Sequence, residues 1–407
     1  MRISGKLYVI SLILGVYSRA SAYGHGAGNL RARALLGLPL GEPLENFALN
    51  PSEESQQPSP ESDPKSISDQ TSAPSNTGQY GRAKAFFYNN GPFSAYYCEV
   101  SLGYPKQTFR LFMDTGSADV WVVSKSCRNQ YCSSKPRRFD KDKSTTYKVD
   151  NTPWEIRYAD GSYASGFQGI DAVGIGGLTI RDQTIAVATS ISAAYAREPI
   201  DGLFGLGLRV DTVNNIAPPI ETIQKQRPIT RASFGVYLPR NNSLAEFTFG
   251  YYDRSHYYGN LSFSPLFRGQ HGWQIRLEGI QVGSSVIEAM KPIVIDSGSA
   301  LITIGSNIAA AVHANINGAT YVRRRGWYIP CEGTPVNDVS FIFSGRRFSI
   351  PGTMLPTAKR SSVDPELCYS GIQETPGAWV IGLNWFEFNY VAFDADNKRI
   401  GIAPIRG

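Results

Sequence analysis

Histidine and cysteine are both scarce in this chain, four and five among 407 residues. The four histidines show no metal-ligand spacing, which argues against a metalloprotease. No Gly-Xaa-Ser-Xaa-Gly segment supports a serine hydrolase. Beyond residues 7–16 no apolar run approaches the roughly 18 residues a spanning helix needs, and the terminal Pro404-Ile405-Arg406-Gly407 carries no anchor signal. Forty basic side chains against 34 acidic ones leave a net charge of +6. Residues 1–82 hold seven of each sign, so the excess lies after residue 82. The clusters Pro136-Arg137-Arg138 and Arg323-Arg324-Arg325 read as loops, and nothing resembles a nucleic-acid module. A scattered, solvated basic surface is expected, with attraction to acidic substrates or cell walls as the alternative. The expectation is therefore no metal, no cofactor, no nucleic acid and no membrane anchor.

What is present begins with a leader. Arg2 and Lys6 precede the apolar stretch Leu7 to Val16, and Ala20-Ser21-Ala22 offers a small-residue cleavage site, so residues 1–22 read as a signal peptide and the destination as the cell exterior. Delivery to a vacuole is the alternative destination. From Pro51 to Gln79 the chain is dominated by Ser, Pro, Gln, Asp and Glu and is too polar to build a core of its own. After that, short alternating runs separated by glycine-containing turns predict an all-β protein, with helical stretches only near Pro219 to Lys225 and Asn307 to Ile316. A boundary between two halves is expected near Tyr257 to Gly259.

Two segments 182 positions apart follow one pattern, three apolar residues and then Asp, a hydroxyl residue, Gly and Ser: Leu111-Phe112-Met113-Asp114-Thr115-Gly116-Ser117 and Ile293-Val294-Ile295-Asp296-Ser297-Gly298-Ser299. Each apolar triplet predicts a buried strand and each glycine a tight turn, so both aspartates should sit where a strand leaves the core. A single Asp-hydroxyl-Gly triplet is an ordinary turn. Two copies behind matching strands point instead to two carboxylates brought face to face.

These residues resemble the pepsin-like aspartic endopeptidases, in wording closest to secreted fungal members. The likeness runs from about Phe86 to the C-terminus and includes Trp121, the stretch Tyr158-Ala159-Asp160-Gly161-Ser162, and the paired Asp201-Gly202-Leu203-Phe204-Gly205-Leu206 and Trp379-Val380-Ile381-Gly382. It implies a bilobal all-β fold with the cleft between the lobes: an N-terminal lobe over 83–257 and a C-terminal lobe over 258–407, preceded by a propeptide over 23–82. Many relatives carry a basic propeptide, whereas residues 23–82 here hold four basic and seven acidic side chains. Simple electrostatic locking of that kind is not expected. Arg82 and Lys84 mark the expected processing region.

The resemblance also assigns roles. Asp114 and Asp296 would share one proton and activate a water for attack on a peptide carbonyl, with no covalent intermediate. Gly116 and Gly298 would let backbone amides approach the carboxylates, Thr115 and Ser297 would hydrogen-bond across the lobes, and Ser117 and Ser299 would donate to the outer carboxylate oxygens. Tyr158 and Gly161 would lie on a flap hairpin, with Tyr158 bonded toward Trp121. Asp160 on that flap would attract a basic side chain beside the scissile bond. Cys127 with Cys132 and Cys331 with Cys368 would form disulfides, leaving Cys98 as a buried free thiol. Asn241 and Asn260 open glycosylation sequons. The expected partners are polypeptides cut between bulky apolar residues and the chain's own propeptide, and the expected state is a monomer. The competing reading is a pepsin-fold protein that binds peptides or inhibits another enzyme without cleaving anything.

Overall fold

A computed structural model describes residues 80–406 apart from 91–92, 227–228, 230, 241–244, 269–270, 333–335 and 363. The expected leader, most of the propeptide and the Asn241 sequon lie outside the described residues. Strands dominate, and they assemble into a 13-stranded, a 7-stranded and a 4-stranded sheet. Helices among the described residues are short, and they include Pro219–Gln226 and Ser306–His313, close to the two stretches expected.

The two apolar triplets form the same structure twice. Gln107–Asp114 is a strand whose last four residues are all buried, and it runs parallel to Gly202–Gly205, with Leu111 opposite Gly202 and Asp114 opposite Gly205. Ser285–Ile295 likewise runs parallel to Trp379–Ile381, with Ile293 opposite Trp379 and Ile295 opposite Ile381. Strands covered on both faces need no polar alternation, which is why each run is continuously apolar. In each half a strand after the aspartate turn, Val120–Val123 or Ile302–Ile304, then pairs antiparallel to the same partner. Gly205 and Gly382 permit the close approach, because a Cβ at either would lie 2.4 Å from the Ala118 carbonyl carbon or 2.2 Å from the Leu301 oxygen.

The halves are not separate sheets. Asn389–Asp394 pairs with Ser233–Tyr237, and Arg399–Pro404 pairs with both Asn389–Asp394 and Ser262–Pro265, so the last strands of the chain enter the large sheet that also carries Asp114. At the other edge of that junction, Gly81–Asn90 pairs with Glu246–Phe249 and with Phe93–Leu102. Arg82 and Lys84, expected in a processing region, thus lie inside a paired strand. Arg82 donates to the Tyr251 hydroxyl at 3.0 Å and is ion-paired with Asp253 and Glu246.

Both disulfides form, Cys127–Cys132 and Cys331–Cys368, and Cys98 is a fully buried free thiol whose pKa burial pushes up. The expected basic loop at 136–138 is tied down rather than merely solvated: Arg137 pairs at 2.6 Å with the buried Asp201, whose carboxylate also accepts the Arg110 amide at 2.8 Å. Asn260 is exposed just before the strand Ser262–Pro265. Among the described residues no helix is long and apolar enough to cross a membrane.

Candidate active site

Each aspartate lies at the end of its buried strand and is held by its own turn. The Gly116 amide donates to Asp114 Oδ1 at 2.8 Å and the Ser117 hydroxyl to Oδ2 at 2.5 Å. The Gly298 amide donates to Asp296 Oδ1 at 2.7 Å and the Ser299 hydroxyl to Oδ2 at 2.6 Å. Four donors in matching positions hold the two carboxylates in one cradle geometry.

A second set of bonds ties the turns to each other. The Thr115 hydroxyl donates to the Ile295 carbonyl at 2.8 Å and accepts the Ser297 amide at 2.9 Å. Reciprocally, the Ser297 hydroxyl donates to the Met113 carbonyl at 2.8 Å and accepts the Thr115 amide at 3.1 Å. A hydroxyl is the side chain that can donate and accept at once in so small a space. The turns therefore meet closely: a Cβ on Gly116 would fall 2.5 Å from Asp296 Cγ.

Both aspartates are fully buried. Burial first, and then the charge of Asp114, push the Asp296 carboxyl well above the usual carboxylate range, while the Ser299 hydroxyl and Gly298 amide oppose the rise. Two carboxyls so placed cannot both ionise readily, because each charge disfavours the other.

The hairpin expected to be the flap belongs to the sheet that carries Asp114. Lys148–Arg157 and Tyr163–Ile175 form an antiparallel hairpin with Arg157 opposite Tyr163, and its turn closes through Tyr158 N to Ser162 O at 2.9 Å and Gly161 N to Tyr158 O at 3.0 Å. The Trp121 indole donates to the Tyr158 hydroxyl at 2.9 Å. Asp160 is partly buried and accepts the Ser162 amide at 2.8 Å, and burial raises its carboxyl above the ordinary value.

Sequence reasoning missed two members of this neighbourhood. Tyr195, on the short helix Ala193–Arg197, packs edge-on against Trp121 at 5.1 Å and Tyr158 at 6.0 Å and accepts the Ser162 hydroxyl at 3.3 Å. Asp119, fully buried, accepts the Trp154 indole at 3.0 Å and the Val213 amide at 2.9 Å, and burial pushes its carboxyl up to about 7. Asp119 could have been found, because a charged residue between Ala118 and Val120 breaks an otherwise apolar run. Nothing in the local sequence points from Tyr195 to the flap.

Residues 95–405 match the family model described as eukaryotic aspartyl protease. The chain belongs to that family. Rhizopuspepsin-1 of Rhizopus niveus is 33% identical over 313 residues, covering 76% of this chain and 79% of the relative. Syncephapepsin of Syncephalastrum racemosum is 33% identical over 320 residues, 76% of this chain and 77% of its own. Cathepsin E of Cavia porcellus is 32% identical over 324 residues, 76% of this chain and 81% of its own. This member of the pepsin-like family is an aspartic endopeptidase, a hydrolase of peptide bonds.

Proposed function

We propose that Asp114 and Asp296 are the catalytic pair and that they work on one shared proton. The observation that carries this reading is the reciprocal lattice through Thr115 and Ser297, which holds two identically cradled carboxylates against each other. In the resting state the proton is written on Asp296, the group that burial and its neighbour's charge raise. Asp114 then takes a proton from a water lying between the carboxylates as that water attacks the peptide carbonyl. Asp296 gives its proton to the carbonyl oxygen, and the resulting gem-diol collapses with cleavage of the C–N bond as Asp114 passes the captured proton to the amide nitrogen and Asp296 takes one back from a gem-diol hydroxyl. Ser117 and Ser299 hold the outer oxygens, so each carboxylate presents its inner edge to the reaction. The flap, with Tyr158 anchored on Trp121, closes over the peptide and excludes bulk water.

Around this chemistry the reading assigns residues 1–22 to a signal peptide and 23–82 to an inhibitory propeptide whose end falls at the strand Gly81–Asn90. It assigns 83–257 and 258–407 to the two lobes, joined by the shared sheet. The enzyme is a secreted monomer, glycosylated at Asn241 and Asn260, and it cuts between bulky apolar residues. Asp160 favours a basic side chain near the scissile bond, so Asp160→Ala is expected to lower the ratio of Lys-peptide to Leu-peptide cleavage, and an unchanged ratio would remove that assignment. Both cradles and the flap turn are intact, which leaves the binding-only alternative without support. The test is acid-dependent cleavage of a denatured protein with and without a hydroxyl-bearing transition-state mimic, beside Asp296→Asn. Activity abolished by both is expected. A folded, propeptide-free chain inactive from acid to neutral pH would instead favour the binding-only reading.

A further inference from the structure

We propose that Trp273 is a positioning residue for the pair of carboxylates, and that Asp211 locks the loop that presents it. The inference rests on the assignment of Asp114 and Asp296 above. Trp273 is fully buried at the residue before the strand Gln274–Val282. Its indole Nε1 donates to the Leu206 carbonyl at 2.8 Å, and the Leu206 amide in turn donates to the Asp114 carbonyl at 2.7 Å. Its own carbonyl accepts the Ile295 amide at 3.0 Å, one residue before Asp296. One side chain and its backbone thus connect the two aspartate strands along a route that uses neither Thr115 nor Ser297.

The indole is held rigidly for this. Its ring stands edge-on to Phe234 at 5.8 Å and to Phe393 at 5.0 Å, two residues of the shared sheet. The preceding residue is sewn to the opposite lobe, because Asp211 accepts the Gly272 amide on both oxygens at 3.1 and 3.0 Å, and its Oδ2 also accepts the Leu208 amide at 3.2 Å. His271 Nδ1 lies 3.7 Å from Asp211 Oδ1. Only glycine fits at 272, since a Cβ there would lie 2.5 Å from Asp211 Oδ2 and 2.7 Å from Leu208 Cβ.

The pseudo-equivalent residue in the other half sharpens the point. Tyr97 pairs with Phe112 and Gln274 with Val294, each two residues before an aspartate, so Tyr96 and Trp273 occupy corresponding places. Tyr96 donates toward the Leu238 and Pro239 carbonyls, whereas Trp273 donates to the segment bonded to the opposite aspartate. An indole is a donor only. Removing that donor leaves the Leu206 carbonyl buried without its partner and frees the Asp114 turn to drift from Asp296.

The test compares wild-type enzyme with Trp273→Phe and Asp211→Asn by kcat, KM and the pH–rate profile, with Asp296→Asn as reference. Trp273→Phe is expected to lower kcat about tenfold or more, since a small misplacement of reacting groups costs that much, with KM within about twofold. Its upper pH limb should move to lower pH, because weaker contact with Asp114 relaxes the rise at Asp296. Wild-type kcat and an unmoved limb, whatever the melting temperature, would overturn the proposal. Where Trp273→Phe fails to fold, Asp211→Asn decides: a severalfold loss of kcat with the same shift supports it, and an unchanged profile overturns it. Activity retained by Asp296→Asn would instead overturn the assignment of the pair itself, a different failure.

Discussion

The two aspartate turns are alike to within a few tenths of an ångström in their hydrogen bonds, yet what lies behind them differs. Seven residues after Asp114 stands Trp121, bonded to the flap through Tyr158 and packed on Tyr195. Seven residues after Asp296 stands Thr303, a buried strand residue opposite Gln373 and Val380. Five residues after each aspartate the N-terminal half buries the carboxyl of Asp119 and the C-terminal half the apolar Leu301. The cradle is thus the part that both halves have in common, as the proposed sharing of one proton requires. Behind the cradles the halves differ: the N-terminal half ties Trp121 to the hairpin turn through Tyr158, and the C-terminal half has buried Leu301 and Thr303 in the corresponding places.

Four experiments would break or sharpen this comparison. The largest effect is expected where the halves are equal: Asp114→Asn and Asp296→Asn should each cost at least about a thousandfold in kcat, and a tenfold difference between them would mean that the cradles are not equivalent in function. Next comes Asp119, which has no counterpart. Its carboxyl sits at about 7 in the folded chain, against about 3.9 unfolded. Below about pH 4 both states are neutral and nothing is lost. Between there and pH 7 only the unfolded chain releases the proton, so stability falls as pH rises, by roughly 4 kcal/mol in all. Asp119→Asn should flatten the decline of melting temperature over that range, and an unchanged slope would contradict the assignment.

The disulfides differ between the halves in the same way. Cys331–Cys368 closes a separation of 37 residues and Cys127–Cys132 one of 5. Loop-closure entropy gives about 4 kcal/mol for the first and about 2 kcal/mol for the second. Denaturant unfolding of Cys331→Ser with Cys368→Ser, beside Cys127→Ser with Cys132→Ser, should rank them in that order. The smallest contrast is Trp121→Phe against Thr303→Val. Loss of the indole donor should lower kcat/KM about tenfold by loosening the flap, whereas the valine should leave kcat/KM within about twofold. Equal losses would show that position seven serves packing in both halves.

Much of this was legible in the chain. The repeated Asp-hydroxyl-Gly-Ser turn with its apolar prefix fixes strand, turn and carboxylate together, because buried strands and tight turns are local properties. The flap hairpin, the bond between Trp121 and Tyr158, and both disulfides also agree with what the resemblance implied. What escaped depends on contacts between distant segments. Tyr195 lies 37 positions from Tyr158 and reaches the flap only because the helix Ala193–Arg197 folds beneath it. Trp273 finds Leu206 across 67 positions. The acidic partners of Arg82, Glu246 and Asp253, stand 164 and 171 positions further along the chain, so nothing beside it in the sequence announces them.

The central claim is a single proton shared by Asp114 and Asp296, and the pH dependence of kcat/KM tests it most directly. Asp119→Asn run alongside would separate loss of fold near neutrality from loss of the proton. The account predicts a bell, falling on the acid side as both carboxyls become protonated and on the upper side as both ionise, with the upper limb kept in Asp119→Asn. A profile with one limb only, or an upper limb that disappears with Asp119, would contradict it.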